Sequence, residues 1–322
     1  MAIYLDNTMI QSYRECNRKY YIRHQLDLTV DSLKIDLIFG LAWHEALATL
    51  WPELQKKTER GIAVKKAFLS FSNCWIREGL PSPMPPENYQ PITDRWPIKN
   101  PFVALEMLGN YAEQRGVFIV QCTDLEVEKP FAVPLGLEVA GEEVFYIGRL
   151  DKIVKHPQHG RLVVEHKTTG WYAKDKGFRE DYINSFSPNS QVDGYAFAAH
   201  SLYADTNGVW IDAALCHKTV HDKFKFIPID RSFGLLDAWL QETRAIATRL
   251  LTGVNDVNHA DDASIYWNFP KNTTSCHMYS GCSFRDLCRY IPSPANIKRT
   301  PAGYKVEKWE PFDLLHIKDV LK

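Results

Sequence analysis

Gly148-Arg149-Leu150-Asp151 and, beyond a short polar turn at residues 156–160, Val163-Val164-Glu165-His166-Lys167 read as the two arms of a β-hairpin. Their apolar and β-branched residues mark both runs as strands. Side chains alternate across a strand, so Glu165 and Lys167 share one face, where Asp151 of the neighbouring strand can meet them. Two carboxylates and an ammonium converging at a sheet end make a poor core, because a buried charge is costly unless paired or bound to metal. Hard carboxylate oxygens suit Mg²⁺ or Mn²⁺, which binds phosphate and lowers the pKa of a bound water; the lysine can orient that water or stabilise developing negative charge. A surface Asp and a Glu-x-Lys pair also occur by chance in many proteins, so other features must decide between the readings.

Outward from the hairpin, strands are expected at residues 125–133, 144–154 and 161–167, and again at 208–217 and 224–229. Helices are expected at 8–25, 36–50, 63–78, 101–115, 188–203 and 232–251. The proline-rich stretch 81–101 reads as an irregular surface loop, because proline fixes φ and removes amide protons. The order of helices, three strands, helix, two strands and helix predicts an α/β fold, a mixed central sheet flanked by helices. Along the first helix, Arg14, Arg18, Lys19 and Arg23 form a basic side that suits either a nucleic-acid backbone or solvent.

The 322 residues are 45% hydrophobic and 24% charged, enough apolar material for a sizeable core. A formal net charge of -1 means that any contact with nucleic acid must come from a local patch rather than from a global field. No apolar run approaches a membrane span and residues 1–7 lack the layout of a signal peptide, which predicts a cytoplasmic protein with no membrane partner. In a reducing compartment the seven cysteines are not expected to pair as disulfides. The three crowded between Cys276 and Cys288 point to a metal or cluster instead.

Gly40-Leu41-Ala42-Trp43-His44-Glu45-Ala46-Leu47 is similar to the helix that supplies a metal-binding histidine in RecB-type nucleases, and Gln191-Val192-Asp193-Gly194-Tyr195 resembles the Q-x-x-x-Y motif that follows the lysine strand there. The order His, Asp, Glu-x-Lys, Gln-x-x-x-Tyr over residues 40–195 thus resembles the RecB/AddB-like branch of the PD-(D/E)XK nuclease superfamily. That resemblance implies a restriction-endonuclease-like core. It also implies His44, Asp151 and Glu165 as ligands of Mg²⁺ or Mn²⁺, the main-chain carbonyl of His166 as a further ligand, Lys167 as the catalytic lysine, and Gln191 and Tyr195 beside them. Leu150 stands where the class name has proline, although Gly148-Arg149-Leu150-Asp151 matches the Gly-x-x-Asp common in this branch. Singly, His44 is an ordinary core or surface histidine, and Gln191 and Tyr195, four apart, are an ordinary helical pair.

Cys276, Cys282 and Cys288, with Cys16 far away, resemble the iron–sulfur staple of AddB-type and CRISPR-associated RecB-like nucleases. The resemblance implies a [4Fe-4S] cluster held by these four thiolates. Five residues separate Cys276 from Cys282 where the family has two, and Zn²⁺ in a Cys₄ site is the alternative. Cys74, Cys122 and Cys216 read as buried thiols without a role.

The expected function is a Mg²⁺- or Mn²⁺-dependent deoxyribonuclease, an exonuclease of recombination, repair or phage DNA processing. It acts on DNA that is single-stranded or has free ends. The sequence lacks a Gly-x-x-x-x-Gly-Lys-Ser/Thr segment, so unwinding falls to a helicase or recombination partner. The rival reading is a non-catalytic iron–sulfur DNA-binding module of a helicase–nuclease complex. Four stretches are expected within one compact domain: a helical part at 1–116 carrying Cys16 and His44, the nuclease core at 117–230, a helix and cysteine segment at 231–295, and a tail at 296–322.

Overall fold

The computed structural model describes residues 2–173, 177–259, 263–278 and 281–310. In chain order the first elements are β1 (Ile3–Asp6), α1 (Asn7–Glu15), α2 (Asn17–Tyr20), β2 (Leu28–Val30), α3 (Ile35–Gln55), α4 (Arg60–Arg77), α5 (Tyr89–Arg95) and α6 (Pro101–Gln121). There follow β3 (Thr123–Val139), β4 (Glu142–His156), β5 (Gly160–Thr169), β6 (Tyr172–Ala173), β7 (Gly177–Phe178), α7 (Glu180–Asn184) and α8 (Ser190–Leu202). The last are β8 (Thr206–Leu215), β9 (Phe224–Ile229), α9 (Phe233–His259), α10 (Ser264–Asn268), α11 (Arg285–Tyr290) and β10 (Tyr304–Val306). They fall into two compact units: one of Lys34–Lys129 with Leu150–Ser232, the other of Met1–Leu33, Pro130–Arg149 and the chain from Phe233 onward.

In the first of these units β4 pairs antiparallel with β5, β5 parallel with β8, and β8 antiparallel with β9, which makes the mixed sheet that the sequence predicts. Alternation sorts the strand residues by face. Val154, Leu162, Val164 and Ala214 join a core built with Phe39, Trp43 and Trp51 of α3, Phe71 and Trp75 of α4, and Met107 and Leu108 of α6. The intervening Ile153, Val163, Ile211 and Ala213 are also buried, and α8 contacts both β5 and β8. Helices thus flank the sheet. Local signals start them: the Asn100 side chain accepts from the amides of Phe102 and Val103 at 2.9 Å each, with Pro101 opening α6. Asn189 does the same for α8, accepting from Gln191 and Val192.

In the other unit β1 runs parallel to the start of β4, Ile3 opposite Val144, and β10 pairs antiparallel with β2. Ile22, Leu28, Phe284 and Leu287 form a small core with the half-buried Cys282 and Cys288 against it. Among the described residues no helix is long and apolar enough to cross a membrane.

Several elements depart from expectation. The helix expected over 8–25 breaks at Cys16, whose backbone is extended (φ -167°, ψ 116°), and resumes as α2 and a π-turn at Tyr21–Gln25. Contacts of the Cys16 thiol and of Arg18 with distant residues, described below, set this break, and periodicity carries no trace of them. The stretch 81–101 holds a 3₁₀ turn, Pro86–Asn88, and α5, because Pro86 and Pro91 both stand in first turns, where the missing amide has no helical partner to lose. The strand expected at 125–133 extends over 123–139 despite Pro130 and Pro134; β3 pairs only with β4, and on such an edge proline is tolerated. Four-residue β1 is too short to show a period.

Candidate active site

The β4–β5 register, with Lys152 opposite Val164, brings Asp151 beside Glu165. The backbone N–H of His166 donates to Asp151 Oδ2 at 2.7 Å, which ties the carboxylate to the neighbouring strand. From α3, which packs against β5, His44 places Nδ1 3.1 Å from Asp151 Oδ1. Lys167 Nζ donates to Glu165 Oε1 at 2.7 Å. His44, Asp151, Glu165 and Lys167, expected to share a site, are therefore linked in pairs across three elements of one unit.

Glu128 of β3 joins them. Ligand atoms of His44, Glu128 and Asp151 all lie within 4.8 Å of one another. Sequence reasoning missed this residue. Its signal was weak: an acidic residue in a strand beside the one that carries Asp151, at a backbone φ of 51° that breaks the alternation by which the strand would have been read.

Burial sets the electrostatics. Desolvation opposes the charge on Asp151, but His44, His166 and Lys152 outweigh it and hold this carboxyl below the usual carboxylate range. Burial and the Asp151 charge push Glu165 upward, with Lys167 and His44 offsetting only part. Burial likewise opposes charge on His44, which Asp151 raises overall, and on Lys167, which Glu165 and Asp151 raise. One carboxylate is thus firmly ionised and its neighbour is short of positive charge. Glu165 Oε2 is buried and has no hydrogen-bond partner among the described residues. An oxygen in that position, beside a cluster of a histidine and two carboxylates, fits a divalent cation such as Mg²⁺ or Mn²⁺.

The His166 side chain lies on the alternate face of β5, fully buried, with ring centroids 5.8 Å from Trp51 and 6.4 Å from Tyr111. Its burial pushes the imidazole down to about 4. Nearby, Asp212 of β8 accepts from Tyr111 Oη at 2.5 Å and from Arg115 Nε and Nη2 at 3.2 Å each, while Trp51 Nε1 donates to Tyr111 Oη at 3.0 Å. The His166 main-chain amide meets Asp151, while its ring packs among Trp51, Tyr111 and the His44 ring. On α8, Gln191 Nε2 donates to Tyr195 Oη at 3.1 Å, and the helix contacts the strand of Glu165 and Lys167.

The four singled-out cysteines lie in the other unit. The Asn272 amide donates to Cys16 Sγ at 3.3 Å, the Cys276 thiol approaches Asn272 O at 3.8 Å, and the Cys282 amide donates to Cys276 O at 3.1 Å. Burial raises the Cys282 and Cys288 thiols, and Cys16 adds to the rise in both. The distant Cys16 is thus brought into the neighbourhood of the C-terminal cysteines, but among the described residues no three of the four thiols lie within 4.8 Å of one another. Beside it, the basic side expected of residues 8–25 is largely consumed internally. Arg18 is buried, donating from Nε to Phe269 O at 2.8 Å and lying over the Tyr266 ring, so it faces neither DNA nor solvent. Arg23 donates to Glu307 O at 2.7 Å, and Lys19 pairs with Glu15. Satisfying these cations inside the protein outweighs exposing them, which corrects the expectation for Arg18.

The family model of the PD-(D/E)XK nuclease superfamily matches residues 7–289 of the chain. No curated protein matches it. Among solved structures, SSO0001 is similar at 16% identity and a TM-score of 0.30, over 56% of this chain and 66% of that one, so the chain spans just under two thirds of that protein. A candidate exonuclease from Eubacterium rectale is similar at 11% identity and a TM-score of 0.43, over 97% of this chain and 92% of that one.

Proposed function

The chain belongs to the PD-(D/E)XK nuclease superfamily, and from that premise we propose that it is a divalent-metal-dependent deoxyribonuclease of the RecB/AddB-like branch, an exonuclease that carries an iron–sulfur cluster. The observation that supports catalysis is the convergence of His44, Glu128 and Asp151 in the unit that holds the Glu165–Lys167 pair. A binding module without catalysis has no need of such a set.

Asp151, Glu165, His44 and Glu128, with the main-chain carbonyl of His166, would hold Mg²⁺ or Mn²⁺. When bound, the ion polarises the scissile phosphate and makes a water acidic enough to attack it. Asp151 is kept ionised for this by His44 and by the His166 amide. Lys167, held charged by Glu165, supplies a donor where negative charge grows on the phosphate oxygens. Gln191 and Tyr195 support the site from α8. Cys16, Cys276, Cys282 and Cys288 would hold [4Fe-4S], with Zn²⁺ as the alternative; what supports this is that the fold places Cys16 in the neighbourhood of Cys282 and Cys288, and that Asn272 meets both Cys16 and Cys276.

The test is incubation of the purified full chain with end-labelled linear DNA and with covalently closed circles, in Mn²⁺ or Mg²⁺ and in chelator. Linear DNA should be degraded in metal only, and circles should survive. Cleavage that persists in chelator overturns the metal mechanism. Equal cleavage of circles overturns the exonuclease reading and leaves the nuclease standing.

A further inference from the structure

At the C-terminal ends of the parallel strands β5 and β8 lies a cleft of about 280 Å³ that the catalytic site does not use. Its position follows from the two elements that carry that site. Gly170, in its wall, follows three residues after Lys167 on extended chain, ~10 Å at the rise of a strand. Ile35, also in its wall, precedes His44 by nine residues on α3, ~13 Å at the rise of a helix. Both estimates put the cleft ~10–13 Å from the residues that carry the reacting groups, within the reach of one or two nucleotides, at the strand ends where ligands of α/β sheets bind.

The remaining wall comes from the segment between α5 and α6. Arg95 stacks over the Trp96 ring, 4.7 Å from its centroid, and Trp96 is itself held edge-on by Trp75 at 5.6 Å. Ile98 is 39% exposed and closes over Gly170, where an added Cβ would meet its Cγ2 at 3.9 Å. Lys99 and Asp36 neutralise each other at 2.7 Å. Arg95 is exposed and forms no salt bridge among the described residues, so the cleft carries one available guanidinium beside apolar and aromatic walls.

We propose that this cleft binds one unpaired base of a single DNA strand, the base lying against Ile98 and stacking on the Arg95 guanidinium, which Trp96 backs. The inference rests on the nuclease reading above and deepens it by naming the strand form that the site takes. Stacking on a guanidinium plane backed by an aromatic ring serves any base, so the site is tolerant of sequence. A base paired within a duplex has both faces and its edge engaged, and cannot enter.

Binding of a fluorescent oligothymidylate to the full chain, in low salt and chelator, is the test, with a duplex of equal length as comparison. Trp96→Ala should raise the Kd for the single strand ~10-fold, the loss of one stacked base, and Arg95→Glu should raise it by a similar factor. Should Trp96→Ala fail to fold for want of its packing on Trp75, the exposed Arg95→Glu decides. An unchanged Kd in folded Arg95→Glu, or equal losses on single strand and duplex, overturns the cleft. If the wild type cleaves DNA while the variants bind as it does, the cleft alone fails. If the wild type neither binds nor cleaves DNA, the nuclease reading falls and the cleft with it.

Discussion

Asp151 meets His44, the His166 amide and a second carboxylate, Glu128, so under the proposed function each neighbour has a separable share in holding the cation. Lys167→Ala should lower the cleavage rate ~10²- to 10³-fold at saturating metal and DNA, the cost of removing one charge-stabilising donor, with the thermal midpoint close to that of the wild type. A rate within a few-fold of wild type would remove Lys167 from the mechanism. Glu128→Gln keeps the shape and removes the charge. It should raise the Mn²⁺ concentration for half-maximal cleavage at least ~10-fold, as a metal titration would show, whereas an unchanged titration would make Glu128 a bystander. Asp151, Glu165 and Lys167 were legible as a constellation because alternation along two strands places them together without further information. Glu128 was not, because its inclusion depends on a third strand and on a left-handed residue within it.

Between elements, the buried Asp212 shows how charge can join a helix to a sheet. Tyr111 and Arg115 stand one turn apart on α6 and both donate to the carboxylate of β8, and the Arg115 guanidinium also lies 3.9 Å from the Phe226 ring centroid on β9. Arg115→Met removes the cation and leaves the anion buried, and should cost about 3 kcal/mol, read as a fall in the urea midpoint at unchanged slope. A cost below about 1 kcal/mol would mean that Tyr111 and the His166 ring, 3.5 Å away, suffice for Asp212. Nothing in the sequence sets Asp212 apart from other strand aspartates; its partners stand 97 and 101 residues away. The break of the first helix at Cys16 is equally absent from the sequence pattern, since the apolar residues there run on continuously while the Cys16 thiol and Arg18 meet partners 256 and 251 residues away.

Over the whole molecule, neither unit is a continuous stretch of chain, and the unit that carries the cysteines gathers its N-terminal, middle and C-terminal segments. A cluster joining Cys16 to Cys288 would close a loop of most of the chain, a constraint on the order of 5 kcal/mol if the relation for disulfides is carried over. Cys16→Ala should therefore lose iron and sulfide together and become sensitive to protease within residues 2–33 and 263–310, while protein prepared without oxygen should be brown in the wild type. Colourless wild type with stoichiometric zinc would replace the cluster by a zinc site, and full iron content in Cys16→Ala would remove that residue from the ligand set. By itself the sequence determined the helix-flanked mixed sheet, the hairpin of Asp151 and Glu165-His166-Lys167, and the segments that carry the cysteines, because these follow from local periodicity, from turn chemistry and from residue types at short spacing. Only the tertiary structure decided that Arg18 is a buried clamp rather than a basic surface, that Glu128 stands beside His44 and Asp151, and that Asp212 is locked behind the sheet. The physical reason is common to all three. A charged side chain is placed by the partner that offsets its loss of water, and here that partner is remote in the chain, 251 residues away for Arg18 and Phe269.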